Sequence, residues 1–563
     1  MAEQAPASEF AGALLTTLVE HGVRHVVLAP GARSQALALV AAELEARGDI
    51  QLHVRIDERV AGFVALGIGV ESKAPAVVIT TSGSAVVNLH PAVIEAHHAG
   101  VPLIVLTADR PEELRGIGSN QTTTQLDIFG TSVRLSVDEP APEFGEVAKR
   151  ATQLANAAWD AAMDLHAPGP VHLNLAFREP LSGPTELPGV STSSTREVSG
   201  TPATVLELSR GPRTVVIAGA DAGPVAEEIA HQGGWPLIAE ISSGARYGRN
   251  LVASYREALS IPEYRNSIER VVVFGHPTLS REIPALLGDT STGIETIVVR
   301  GTSPEGYNPG HNVTAFVDEV TVVDGDIDRQ WLGSWMRLSQ ELSEKVTTTA
   351  FGDNPALVSP DVEAARSASP EAQKEFLKKE LAAARAPITR ELLVDAVWRA
   401  TWPHDRLVFG ASRLIRVADK ILGGKKVSVH ANRGLAGIDG TISTATGIAL
   451  ASAPAVTRVV LGDLAALHDA GGLFQSSGEN TPRMQVIIGN DHGGTIFDSL
   501  EVSGSAPAGT FDRVFLTPHE VNFSALAEAY GWSYVQATTA SELERALTGA
   551  GSGLELIEVV LER

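Results

Sequence analysis

At 563 residues the chain is too long for a single core, and three α/β units are its natural division. Hydrophobic residues make up 44% and charged residues 20%, which with 53 glycines suits a turn-rich α/β enzyme and excludes a disordered or fibrous protein. A net charge of −23 argues against nucleic-acid or anionic-membrane binding, and zero cysteines excludes disulfides, thiolate metal sites and cysteine nucleophiles. Near the N-terminus no basic region leads into an apolar core, and no apolar run reaches membrane-spanning length, so a cytoplasmic enzyme without membrane insertion is expected. The acidic balance also repels anionic substrates at long range, so a site for one must concentrate arginines locally.

In chain order, the first unit alternates strand and helix patterns. Strands are expected at 25–29, 51–56, 76–81 and 103–107, with helices over 33–46, from Arg59 and over 84–98. A Pro/Ser/Thr-rich stretch over 179–202 reads as a linker. A second alternating unit places strands at 215–218, 236–241, 271–274 and 296–299. Low hydrophobicity over 347–387 marks a connector holding one amphipathic helix, about 370–384. The third unit opens with a helix from Thr389 and has strands at Leu407, Val427, Val459, Val486 and Leu556. The expected fold class is therefore α/β, with three doubly wound parallel-sheet units over 1–185, 203–345 and 388–563 and a connector over 346–387.

Gly462-Asp463-Leu464 ends one apolar run, and Asn490-Asp491-His492-Gly493-Gly494 ends another, with Asn490 27 positions after Asp463. A carboxylate or carboxamide next to glycines at such turns can hold a hard divalent cation on a diphosphate, although acidic strand ends also serve as helix caps. The pattern resembles the metal-diphosphate signature of thiamine-diphosphate enzymes, with leucine in place of the usual third glycine. Glu58, following a strand, suits the carboxylic acid those enzymes place against the aminopyrimidine ring. By itself it would equally cap the helix that follows, or pair with Arg55 or Arg59.

Further blocks accompany these: Pro30-Gly31-Ala32-Arg33-Ser34, Thr81-Ser82-Gly83-Ser84, Ala108-Asp109-Arg110-Pro111, Asn120-Gln121, the run from Asn432-Arg433-Gly434 to Ile438-Asp439-Gly440, and Gly493-Gly494-Thr495-Ile496-Phe497. Together they resemble the menaquinone-pathway 2-succinyl-5-enolpyruvyl-6-hydroxy-3-cyclohexene-1-carboxylate synthases (the MenD family). The resemblance covers the first and third units and is weak in the middle. It implies thiamine diphosphate with Mg²⁺ or Mn²⁺, and decarboxylation of 2-oxoglutarate followed by addition of the succinyl carbanion to isochorismate. It also implies a homodimer or homotetramer, because the pyrimidine end of the cofactor is held by the first unit of one subunit and the diphosphate by the third unit of another.

Residue by residue, the resemblance makes Glu58 the cofactor-activating acid and Ile438 the apolar support that holds the cofactor bent. Further cofactor contacts are implied at Ser82, Gly83, Gly462, Asp463, Leu464, Asp491, Gly493 and Gly494. The metal ligands are Asp463, Asp491 and the Gly493 carbonyl, with Asn490 as the alternative to Asp491. Arg33, Arg110, Arg416 and Arg433 match positions for the substrate carboxylates, which guanidinium groups bind in bidentate fashion. Gln121 and Ser412 are neutral partners, Ile496 and Phe497 an apolar wall, and Arg281 a candidate from the middle unit. Taken singly, each arginine would be a solvated surface group, and Ile438, Ile496 and Phe497 ordinary core.

Three departures from the family pattern stand out. Ala32 replaces a common serine, Asp491 replaces the second asparagine of the wider cofactor motif, and Leu279-Ser280-Arg281-Glu282 sits where Lys-Arg is frequent. The rival readings are a carboligase of acetolactate-synthase type, which needs fewer substrate arginines, and a non-catalytic homologue kept as a scaffold.

Overall fold

The computed structural model describes residues 5–184, 186–190, 203–352, 362–366, 369–549 and 553–563. Three parallel sheets dominate it. The first contains β1 (His25–Leu28), β2 (Gln51–Val54), β3 (Ala76–Thr80), β4 (Leu103–Asp109), β5 (Leu135–Glu139) and β6 (Pro170–Ala176), in the order β2-β1-β3-β4-β6-β5. Its inner strands β3 and β4 open as continuous apolar runs, 76–79 and 103–106, because helices cover both faces and leave no solvent side to favour alternation. β5, whose residues are mostly half-buried, and β6, opened by Pro170, are additions to the strands expected from sequence.

The middle unit begins with β7 (Val205–Leu208), then β8 (Thr214–Ala218), β9 (Leu237–Ala239), β10 (Arg270–Phe274), β11 (Glu295–Val299), β12 (Ala315–Val317) and β13 (Glu319–Val322). Its main sheet runs β12-β11-β10-β8-β9, and β7 pairs with β13. The helix Arg329–Phe351 buries Trp331 and Trp335 in this unit's core and runs through the boundary expected at 345. The connector helix forms over Pro370–Ala384 as its pattern indicates. Of the expected linker, Leu187 packs into the first core, while 191–202 lie outside the described residues.

The third sheet holds β14 (Arg406–Phe409), β15 (Ser428–His430), β16 (Thr457–Gly462), β17 (Met484–Asn490), β18 (Ser533–Ala537) and β19 (Leu554–Val560). Its order, β15-β14-β16-β17-β19-β18, repeats that of the first sheet strand for strand. Each outer unit thus has a topological switch point at the carboxyl ends of its first and third strands, where such sheets bind ligands. These are β1 and β3 in the first unit, β14 and β16 in the third.

The outer units are held against each other within the chain. The helix Glu58–Ser72 crosses the helix Thr441–Ala451 so closely that a Cβ on Gly67 would stand 1.9 Å from the Thr444 carbonyl oxygen, which only glycine permits. Glu71 on the first helix receives Arg406 Nη2 at 2.6 Å, with His430 Nε2 3.3 Å away. Burial raises the Glu71 carboxyl, but His430 and Arg406 outweigh it and hold it down at about 2. Among the described residues no helix is long and apolar enough to cross a membrane.

Candidate active site

The first switch point gathers one set of candidate residues. Arg33 follows β1, Ser82 and Gly83 follow β3, and Arg110 follows β4. Arg110 Nη1 donates to the buried Ser82 Oγ, which in turn donates to the Gln121 carbonyl. Gln121 Nε2 returns a bond to the Ser82 carbonyl at 3.0 Å, and its backbone adopts φ 52°. Arg33 Nη1 donates to the Phe177 carbonyl at 3.2 Å. Burial, and then the Arg110 charge, lower the Arg33 pKa, so the two guanidiniums form a like-charge pair that an anion would relieve.

Glu58 begins its helix just beyond β2, an edge strand that ends at Val54 rather than Ile56. Both structural roles open to it are filled by other groups. Asp57 caps the helix through the Arg59 amide, Arg55 pairs with Glu479 at 2.9 Å, and Arg59 donates to the His468 carbonyl. Glu58 Oε2 instead accepts from Asn88 Nδ2 at 3.2 Å, a contact that the sequence offered no spacing rule to find.

In the third unit, β16 and β17 are neighbours in register, Gly462 opposite Gly489, so the turns that carry Asp463 and Asn490-Asp491 emerge side by side. Asp463 Oδ1 accepts from the Leu464 amide at 2.6 Å and Oδ2 from the Gly493 amide at 2.8 Å. Gly493 has φ 151°, and a Cβ there would lie 2.4 Å from the Leu516 carbonyl oxygen. Asn490 is committed inward: Nδ2 donates to Glu558 at 2.7 Å and Oδ1 accepts from the His492 amide. Asp491 Oδ2 accepts from Arg390 Nη2 at 2.6 Å and from Thr495 Oγ1 at 2.5 Å.

Burial, and then Asp491, raise the Asp463 carboxyl. The buried His519 Nε2 lies 3.1 Å from Asp463 Oδ2 without a hydrogen-bond geometry. Among the described residues no group of three or more His, Cys, Asp or Glu forms a metal cluster. Two crowded carboxylate oxygens and a backbone carbonyl are an incomplete donor set of the kind that a hard divalent cation with further oxygen ligands would take. Ile496 and Phe497 are half-buried in the turn Thr495–Ser499, with Phe497 5.5 Å from Phe515. Arg390 and His519 were invisible from the sequence because they lie far along the chain from the aspartates they face.

A third set lies where the third unit meets the middle one. Ser412 follows β14, but its hydroxyl is occupied as the N-cap of the helix Arg413–Ile421, accepting from the Leu414 amide. Arg416, on that helix, donates to the Ser412 carbonyl at 2.9 Å; burial, then Arg256 and Arg281, lower its pKa. Arg433 is 5% exposed and sits in the loop that also presents Ile438, which is 39% exposed. That loop is pinned by Glu95 of the first unit, which accepts from the Gly434 and Leu435 amides at 2.8 Å each. Arg281 stands apart on the surface, its side chain 82% exposed and 3.8 Å from Glu501. It reaches the set only through long-range charge.

Comparison with known proteins identifies the family and the fold. Residues 8–130 match the thiamine pyrophosphate enzyme N-terminal TPP binding domain, and 422–559 the corresponding C-terminal TPP binding domain. The chain is 53% identical to the 2-succinyl-5-enolpyruvyl-6-hydroxy-3-cyclohexene-1-carboxylate synthase of Leifsonia xyli subsp. xyli, over 99% of this chain and 97% of that one. The chain belongs to that synthase family. The enzyme of the same name from Clavibacter michiganensis subsp. michiganensis is 52% identical over the same shares. Benzoylformate decarboxylase from Polynucleobacter necessarius has the same fold, with a TM-score of 0.65 at 16% identity over 98% of both chains. As a family member, the chain is an enzyme with two thiamine-diphosphate binding domains; the first contains the switch point between β1 and β3, and the second contains β15 and β16 but begins after β14.

Proposed function

We propose that the enzyme decarboxylates 2-oxoglutarate and transfers the succinyl unit to isochorismate, releasing CO2 and forming 2-succinyl-5-enolpyruvyl-6-hydroxy-3-cyclohexene-1-carboxylate, with Mg²⁺ or Mn²⁺ bound beside the cofactor. The observation that carries this reading is the pair of arginine sets in an acidic protein, Arg33 with Arg110 and Arg416 with Arg433: burial first, and then the neighbouring guanidinium of Arg110 or Arg416, disfavours the charge of Arg33 and of Arg433. Both substrates are dicarboxylates, and such sets bind carboxylates at low desolvation cost. A pyruvate-specific carboligase needs only one such group.

Thiamine diphosphate, when bound, supplies the carbon nucleophile and the electron sink for loss of CO2. Glu58, held by Asn88, would hold a proton toward the aminopyrimidine, and Ile438 would support the cofactor in the bent form that makes proton removal intramolecular. Asp463, one oxygen of Asp491 and the Gly493 carbonyl would hold the cation. The commitment of Asn490 to Glu558 favours Asp491 over it as ligand. Ile496 and Phe497 wall the substrate pocket, and Gln121 and Ser412 border it. Exposed apolar side chains at Ile56 and Val87, which lie close in the chain to Glu58 and to its partner Asn88, and at Ile438 support closure of the site by a second copy in a homodimer or homotetramer.

The experiment is a donor and acceptor panel: CO2 release from 2-oxoglutarate, pyruvate and glyoxylate, with and without isochorismate. Preference for pyruvate would overturn the substrate assignment, and no turnover with any donor would leave a non-catalytic homologue.

A further inference from the structure

None of the cofactor or metal candidates lies in the middle unit, yet its carboxyl edge meets the candidate substrate arginines. Glu240 directly follows β9 and is completely buried. Its two oxygens accept from consecutive amides of the turn after β10, Oε1 from Leu279 at 2.7 Å and Oε2 from Thr278 at 3.0 Å. Thr278 then takes one edge of Arg433. Its Oγ1 accepts from Nε at 2.9 Å and from Nη2 at 2.6 Å, and its carbonyl accepts from Nη2 at 3.1 Å. Arg433 Nη1 is buried and has no hydrogen-bond partner. A buried donor left unsatisfied is costly, so a guanidinium pinned on one edge and vacant on the other is arranged for an incoming acceptor.

The neighbouring residue holds the other substrate arginine's helix. The Ile241 amide donates to Asp419 Oδ1 at 2.9 Å, and Asp419 lies one turn beyond Arg416 on the helix Arg413–Ile421. Asp419 is fully buried and also accepts from Tyr255 Oη at 2.6 Å and from Arg256. One dipeptide, Glu240-Ile241, therefore fixes the supports of both arginines. Burial, and then Asp419, raise the Glu240 carboxyl to about 7, a cost of placing a second carboxylate there.

We propose that Glu240 and Thr278 are positioning residues of the middle unit, which orient Arg433 so that its free Nη1 edge meets a carboxylate of a dicarboxylate substrate. This rests on the reading that Arg433 binds substrate. Neither residue touches the substrate; they act by removing the freedom of a long side chain before binding, which lowers the ordering cost at the moment of association.

The test uses the full-length enzyme with thiamine diphosphate and Mg²⁺, and measures kcat and KM separately for 2-oxoglutarate and isochorismate. Thr278→Val keeps the side-chain shape and removes Oγ1; it is expected to raise KM for one of the two substrates by about ten- to a hundredfold. The kcat changes by no more than about twofold, and KM for the other substrate is unchanged. Thr278→Ser restores the parental value. Glu240→Gln, which offers one oxygen to two amides, shifts the same KM in the same direction. Arg433→Ala raises that KM further, and adding Thr278→Val to it has no additional effect. If Arg433→Ala weakens a substrate while Thr278→Val and Glu240→Gln, both folded by thermal melting, leave its KM unchanged, the positioning role is wrong and the substrate role of Arg433 stands. If Arg433→Ala leaves both KM values unchanged, the substrate reading itself fails and the positioning proposal with it.

Discussion

Replacing Arg390 by glutamine removes the cation that holds Asp491, and the structure sets the size of the effect. The pair is 2.6 Å long, with side chains only 13% and 10% exposed, so it is largely desolvated. Removing one partner of such a pair costs about 3 kcal/mol, because the other charge is left without compensation. Here the stranded carboxylate faces Asp463, whose carboxyl burial and Asp491 already raise. A divalent cation bound between the two aspartates would supply the missing charge. The penalty should therefore be large without metal and small with it.

The assay is thermal melting of parent and Arg390→Gln, once in EDTA and once with saturating Mg²⁺ and thiamine diphosphate. In EDTA the variant should melt about 6 to 10 °C lower if the third unit unfolds cooperatively. With metal and cofactor the gap should fall by at least about half. Asp491→Asn added to Arg390→Gln should recover the EDTA stability, since it removes the stranded charge. An equal gap in both conditions would refute the reasoning, because the cation would then not lie against Asp491.

Glu58→Gln should abolish carboligation at saturating cofactor while leaving melting temperature and cofactor binding nearly unchanged; parental turnover would remove Glu58 from the chemistry. Alanine at Arg33, Arg110, Arg416 or Arg433 should weaken use of a dicarboxylate by roughly 2 to 5 kcal/mol in transition-state terms, and parental kcat/KM in all four would remove them from substrate binding. Glu71 has its folded pKa depressed to about 2, so its contribution is present above the ordinary value of 4.5 and is lost as pH falls from there through 2. Glu71→Gln should accordingly cost about 2 to 3 kcal/mol near neutral pH, and the difference from the parent in denaturant unfolding should narrow progressively below about pH 4.5. A gap independent of pH would mean that Glu71 stabilises by packing alone.

Local chemistry determined much of this protein from sequence alone. Apolar runs long enough for doubly covered strands marked β3, β4, β8, β10 and β17, and glycines with acidic or amide residues marked the turns after β16 and β17. These signals need only neighbours in the chain, and the motif order that gave the family is built from them. The edge strands β2, β9 and β15 were expected, whereas Leu135–Glu139 and Ser533–Ala537 escaped because these half-exposed segments carry mixed patterns. The helix Arg329–Phe351 crossed the expected boundary because its two buried tryptophans, not its polar exterior, tie it to the middle core.

What tertiary structure alone decided is the partnership of each charge. That Asp57 rather than Glu58 caps the helix, that Asn490 turns inward to Glu558, that Asp491 meets Arg390 and that Thr278 holds Arg433 are choices among chemically equivalent candidates. The pairs Asn490–Glu558, Asp491–Arg390 and Thr278–Arg433 join residues 68 to 155 positions apart. A sequence fixes which groups can pair, through their charge and donors. Which of them do pair depends on the strand order and unit contacts that bring distant carboxyl ends together, and those follow from burial of the whole chain.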